Sequence, residues 1–328
     1  MNKQKLPVTV ITGFLGAGKT TLVNHLLTQR ADERIGIIVN EFGEVGIDGE
    51  LIVAEENPLI EIRNGCVCCT VRTDLVAGVK ALLQQHEVKL DRLIIETSGL
   101  ADPAPVLQTF LADADLLQNV QLESVITLVD AANHVCQQDD DIAREQIAFA
   151  DLIILNKTAL LGESQLEDLE RSLRSLNPTA VILRANHAEL PASVLLDVPR
   201  FSLPNLLAIE PGLMEDEHDH EHDASISSYA VETQEPIDPD GFNRWLNQLV
   251  QREGQRILRM KGVLNLVGEA RKFYFHSVHM LLDGRPGKAW DDTAPRTSRF
   301  VFIGRHLDRA ALQQGFLSCV HESSRTAA

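Results

Sequence analysis

Short apolar runs rich in β-branched residues recur from Val8 to Leu183, each bounded by polar or glycine-containing stretches. They are Val8 to Ile11, Ile35 to Val39, Leu59 to Ile62, Arg92 to Ile95, Val125 to Val129, Leu152 to Leu155 and Ala180 to Leu183. Runs of this length suit strands buried on both faces. Between several of them the apolar spacing is helical, as in Leu22 to Leu27 and from about Val71 to Gln85. A β/α alternation of this kind predicts a doubly wound, mostly parallel sheet, hence an α/β fold. The pattern changes after Pro191. Pro199, Pro204 and Pro211 lead into Glu215 to Asp223, where acids alternate with His218, His220 and His222. That run has too little apolar content to pack, and reads as a mobile linker. Ser227 to Thr233, Phe273 to Val278 and Phe300 to Ile303 then read as strands and Gly241 to Glu253 as a helix, a smaller α+β domain. The expected organisation is residues 1–200, a linker 201–224, a second domain 225–320 and a tail 321–328.

The stretch Gly13-Phe14-Leu15-Gly16-Ala17-Gly18-Lys19-Thr20 lies between the first strand and the first helix. Gly-x-x-x-x-Gly-Lys-Thr in that context is a phosphate-binding loop, so the α/β domain reads as a P-loop NTPase. Its glycines, with Ala17 and Thr21 at the same turn, let backbone N–H groups surround a polyphosphate at the positive end of the helix. Lys19 is expected to reach the outer phosphates and the Thr20 hydroxyl to ligate Mg²⁺. Glu96 ends a strand and is followed by Thr97-Ser98-Gly99, which suits a second Mg²⁺ contact and a γ-phosphate contact from the Gly99 N–H. Asp102 before Pro103 could instead only start a helix.

Two further stretches offer chemistry. Asn40 to Gly49 holds three glycines and three carboxylates and reads either as a switch loop or as a solvated acidic loop. Cys66, Cys68 and Cys69 lie within four residues, just before a helix start that lowers thiol pKa. They suit a soft or borderline metal such as Zn²⁺, or are merely buried small residues. Alternating His and acid in the linker could collect divalent metal weakly, or serve only solubility.

Composition narrows the partners. The formal charge is −17, and Phe201 to Asn243 contains eleven acids and no Lys or Arg, which argues against nucleic-acid or anionic-membrane binding. No apolar run approaches a membrane span, and Met1 to Pro7 is too short and polar for a signal peptide, so a cytoplasmic location is expected. Five cysteines in a reducing compartment do not suggest a disulfide framework.

Together, Gly13 to Thr20, Asn40-Glu41-Phe42-Gly43-Glu44, Gly65-Cys66-Val67-Cys68-Cys69, Glu96-Thr97-Ser98-Gly99 and Asn156-Lys157-Thr158 resemble the CobW-type family of P-loop metallochaperone GTPases. Arg259-Met260-Lys261-Gly262, His276, Trp290 and Arg296 to Gly304 resemble its C-terminal domain. The resemblance implies GTP/GDP and Mg²⁺ as cofactors and Zn²⁺ as bound metal, with Co²⁺ or Ni²⁺ as alternatives. It implies Glu41, Cys66, Cys68 and Cys69 as metal ligands, Asn156 and Lys157 as guanine contacts, and an unidentified client metalloprotein as partner. A nucleotide- or metal-dependent dimer is a further expectation. The chain departs from the family at Ala159, where Asn-Lys-Thr is usually followed by Asp, so reduced guanine discrimination is expected unless a carboxylate such as Glu163 substitutes. Read this way, the protein is a GTP hydrolase coupling nucleotide state to metal capture and delivery. The rivals are a small-metabolite phosphotransferase and a passive zinc reservoir with a vestigial nucleotide site.

Overall fold

A computed structural model describes residues 5–42, 59–64, 70–84, 90–134, 140–198, 226–291 and 295–321, with the backbone alone for 40–42, 59–64, 70–74 and 84. The first half reads β1 (Leu6–Gly13), α1 (Lys19–Gln29), β2 (Ile35–Phe42), β3 (Leu59–Asn64), α2 (Thr70–Gln84), β4 (Arg92–Thr97), α3 (Ala104–Ala112) and α4 (Ala114–Asn119). It continues with β5 (Val120–Asp130), α5 (Asp141–Ala148), β6 (Leu152–Asn156), a 3₁₀ turn Thr158–Leu160, α6 (Glu163–Leu176), β7 (Val181–Arg184) and α7 (Ala192–Leu195). The second half has β8 (Ile226–Thr233), α8 (Pro239–Glu253), β9 (Ile257–Leu264), β10 (Arg271–Val278), β11 (Leu281–Ala289), β12 (Ser298–Arg305) and α9 (Arg309–Leu317). The chain divides into two compact units, one of 1–171 and 180–201, the other of 172–179 and 202–328.

The first unit is built on a seven-stranded sheet in the order β3-β2-β4-β1-β5-β6-β7, with every pair parallel. Parallel strands need faces covered on both sides, and β4 and β6 are buried along their whole length. α1 buries Leu22, Val23, Leu26 and Leu27 against Ile11, Ile35, Ile37, Ile94 and Ile126. The chain leaves β1 toward β2 and β3 on one side, then fills β5 to β7 on the other. The carboxyl ends around β1 are therefore the crevice where such sheets bind ligands.

β2 runs three residues beyond the expected Val39. Asn40, Glu41 and Phe42 pair with Ile62, Arg63 and Asn64 of β3, so the start of the expected switch loop is strand. Parallel pairing with β3 over all three residues, and with Thr97 of β4 at Asn40, holds this polar end extended, where side-chain polarity alone predicts a loop.

In the second unit, five strands form an antiparallel sheet in the order β11-β10-β9-β12-β8. Its core joins Phe242 and Leu246 of α8 and Leu312 and Phe316 of α9 to Met260, Phe275, Phe300 and Phe302 of the strands. A Cβ on Gly262 would lie 2.3 Å from the Phe300 ring, so Gly262 lets that ring lie across β9. Asp238 starts α8 by accepting from the Gly241 N–H at 2.9 Å, with Pro239 in the first turn. Burial pushes the thiol of Cys319 in this unit up to about 11.

Candidate functional site

The Gly13–Thr20 loop closes β1 and opens α1 at the carboxyl edge of the first sheet. Gly13 has φ 137°, and a Cβ there would lie 2.3 Å from the Leu128 carbonyl of β5. Gly18 has φ 107°, and its Cβ would lie 2.6 Å from Asn156 Nδ2. Only glycine tolerates that backbone with that proximity, which ties the motif's spacing to the sheet. Gly16 is exposed at the tip, Ala17 is buried, and Thr21 is exposed on α1. Gly18 gives α1 no side-chain cap and the first turn holds no acid, so its N–H groups and dipole favour an anion.

Lys19 is buried, and its ammonium donates to the carbonyls of Gly13 at 2.9 Å and Phe14 at 3.4 Å. The Thr20 hydroxyl donates to Glu96 Oε1 at 2.8 Å. Glu96 is 2% exposed near the end of β4, the strand beside β1. A hydroxyl and a buried carboxylate brought together beside a phosphate-type loop are hard oxygen donors, and they fit Mg²⁺. Gly99 lies against the loop, since a Cβ there would be 2.7 Å from the Leu15 backbone nitrogen. Asp102 Oδ1 accepts from the Ala104 N–H at 2.8 Å just ahead of α3, which begins one residue later than expected, with Pro103 rather than Asp102 at its cap position.

Two further residues hold this edge together. Gln146 of α5 is buried and donates to the carbonyls of Gly99 at 3.2 Å and Ala101 at 3.1 Å. Asp130, at the end of β5, accepts from the Lys157 ammonium at 2.6 Å and the Asn133 side-chain amide at 2.9 Å. Asn156 ends β6. Its Nδ2 donates to the Ala17 carbonyl and its Oδ1 accepts from the Ala188 N–H, each at 2.9 Å. Lys157 follows with φ 62°, which turns the chain into the 3₁₀ segment. Asn156, Lys157, Lys19, Thr20, Glu96 and Gly99 thus share one edge of one sheet.

Glu41 lies near the carboxyl end of β2, paired in register with Arg63. Cys66, Cys68 and Cys69, like His218, His220 and His222, lie outside the described residues. Among the described residues no group of three or more His, Cys, Asp or Glu could hold a metal ion, and no helix is long and apolar enough to cross a membrane.

Residues 7–184 match the CobW/HypB/UreG nucleotide-binding domain. The chain belongs to that family. Residues 226–320 match the cobalamin synthesis protein cobW C-terminal domain, so the family's arrangement extends through the second unit. Zinc chaperone YjiA of Escherichia coli (strain K12) is 35% identical over 320 residues, covering 95% of this chain and 98% of that protein. Zinc chaperone CobW of Sinorhizobium sp. is 33% identical, covering 97% and 98%. The crystal structure of Zn(II)-bound YjiA GTPase from E. coli superimposes with a TM-score of 0.78 at 30% identity, over 97% of this chain and 100% of that one.

Proposed function

We propose that this chain is a GTP hydrolase that binds zinc and couples nucleotide state to the capture and delivery of the metal to a client protein. The reading rests above all on the Thr20–Glu96 contact at 2.8 Å beside the glycine loop, and it is supported by end-to-end similarity to zinc chaperones. Lys19 would exchange its loop carbonyls for the outer phosphate oxygens and act there as a point charge. Thr20 and Glu96 would hold Mg²⁺, which neutralises phosphate charge when bound. The loop amides and the Gly99 N–H would orient the terminal phosphate, while water forms the new bond to phosphorus and GDP leaves with the bridging oxygen. Asn156 and Lys157 would hold the base.

The metal is cargo in this reading, bound by Glu41, Cys66, Cys68 and Cys69, with weaker collection by His218, His220 and His222 on the 201–224 linker. Co²⁺ and Ni²⁺ suit the same donors. The work is placed in the cytoplasm, in two domains of 1–200 and 225–320. Zinc affinity measured with a GTP analogue, with GDP and without nucleotide tests the coupling, and it is expected to differ by at least about fivefold between the two nucleotide states. Equal affinities in all three would make the protein a passive reservoir.

A further inference from the structure

The usual reader of guanine in this family is a carboxylate at the position that Ala159 occupies, and a methyl group accepts no hydrogen bond. Glu163, four residues on, and Asp130, the partner of Lys157, each hold a cation. Glu163 Oε1 accepts from Arg184 Nη1 at 2.7 Å, and Asp130 takes the Lys157 ammonium at 2.6 Å. The group beside position 159 is instead a carboxamide, with Asn186 Oδ1 accepting from the Ala159 N–H at 2.8 Å. Because the backbone N–H must face the oxygen, the orientation of the amide is fixed and its Nδ2 points away from that bond.

The loop presenting Asn186 is tied down. Its carbonyl accepts from the Glu189 N–H at 3.0 Å, and His187 and Ala188 follow with φ of 52° and 55°. Ala188 then donates to Asn156 Oδ1 at 2.9 Å, and Asn156 Nδ2 donates to Ala17 of the phosphate loop at 2.9 Å. Hydrogen bonds therefore run from the phosphate loop through Asn156 to the segment that sets Asn186 against Ala159.

We propose that Asn186 reads the base edge in place of the missing carboxylate, so that the site takes guanine and xanthine nucleotides alike. A carboxylate offers only acceptors, which match the N1–H and exocyclic amine of guanine and repel the 2-oxo group of xanthine. A carboxamide offers one of each: Oδ1 has a second lone pair for the N1–H that guanine and xanthine share, and Nδ2, which opposes guanine's exocyclic amine, is a donor for xanthine's 2-oxo oxygen, so the advantage that a carboxylate gives guanine is lost.

The proposal rests on the reading that this edge binds a nucleotide, and competition binding of GDP, XDP and ADP with inorganic tripolyphosphate as a base-free probe separates the two. The unmodified chain is expected to bind GDP and XDP within about tenfold of each other. Asn186→Asp should shift that ratio toward GDP by at least about tenfold, and Asn186→Ala should weaken both while tripolyphosphate binding persists. A GDP preference beyond tenfold in the unmodified chain, or GDP and XDP affinities unchanged in Asn186→Ala, overturns the assignment and leaves nucleotide binding standing. Failure of the unmodified chain to bind GDP, XDP or ADP overturns both.

Discussion

Burial alone would push the Asp130 carboxyl up, but the Lys157 ammonium, the Asn133 side-chain amide and the Asn133 N–H outweigh it and hold the group below its ordinary value of 3.8. A carboxylate with a depressed folded pKa stabilises the fold fully above the unfolded value, and that contribution fades as pH falls through the lower folded one. Asp130→Asn should therefore cost about 1.5–3 kcal/mol at neutral pH, the range for hydrogen bonds to a charged group. The difference from the unmodified chain should shrink in urea titrations repeated below pH 4. A gap that stays constant through that range would mean the ion pair contributes nothing specific. Gln146 was not legible as a site residue in the sequence, because it works through contacts that only folding creates, whereas Asp130 and Asn186 were legible at the ligand-binding strand ends, Asn186 near a possible base pocket, but without their hydrogen-bond partners. Lys19 and Thr20 were legible because the loop's spacing is itself the geometry that a phosphate requires.

Among the elements, strands such as β4 and β6 could be read because they are buried along their whole length and their apolar runs are uninterrupted. β9 escaped notice because Arg259 and Lys261 interrupt its apolar run, although both are buried. β11 escaped because Gly284, Pro286 and Gly287 read as a turn, and it is an edge strand that tolerates them. At the amino end of the first sheet, Arg92 is 4% exposed and pairs with Glu123, Asp197 and Glu33. Removing one partner of a buried pair strands the other charge, so Arg92→Met should destabilise the first unit by about 3–5 kcal/mol. Arg92→Met/Glu123→Gln should recover part of that loss by leaving no buried carboxylate behind. Arg92 lies four residues before Glu96 on β4, about 13 Å along a strand, so GTP affinity of the folded variant should not change. A Tm equal to that of the unmodified protein would show the network to be incidental.

At the scale of the whole molecule, the sheet order is what would connect metal to nucleotide. β1 carries the phosphate loop, β4 beside it ends at Glu96 and Thr97, β2 comes next with Glu41 near its carboxyl end, and β3 lies outermost and leads directly into Gly65 to Cys69. Neighbouring strands are about 4.8 Å apart, so the end of β3 is about 14 Å from the end of β1. That distance is too long for direct contact, but two adjacent strand ends span it, and a shift in one displaces the next. If a γ-phosphate moves the β4 and β2 ends, thiolates at 66, 68 and 69 should feel it, and linkage requires zinc to alter GTP affinity by the factor by which GTP alters zinc affinity. Replacing Cys66, Cys68 and Cys69 together by Ser should remove sulfur charge-transfer absorption with Co²⁺, since hydroxyls bind these ions far less well than thiolates. The same variant should bind GTP normally in zinc-free buffer and lose the zinc effect on GTP affinity. Should zinc still shift GTP binding in the triple variant, the coupled ligands lie elsewhere in the chain, and the route from β1 through β4 and β2 to the end of β3 does not carry the coupling.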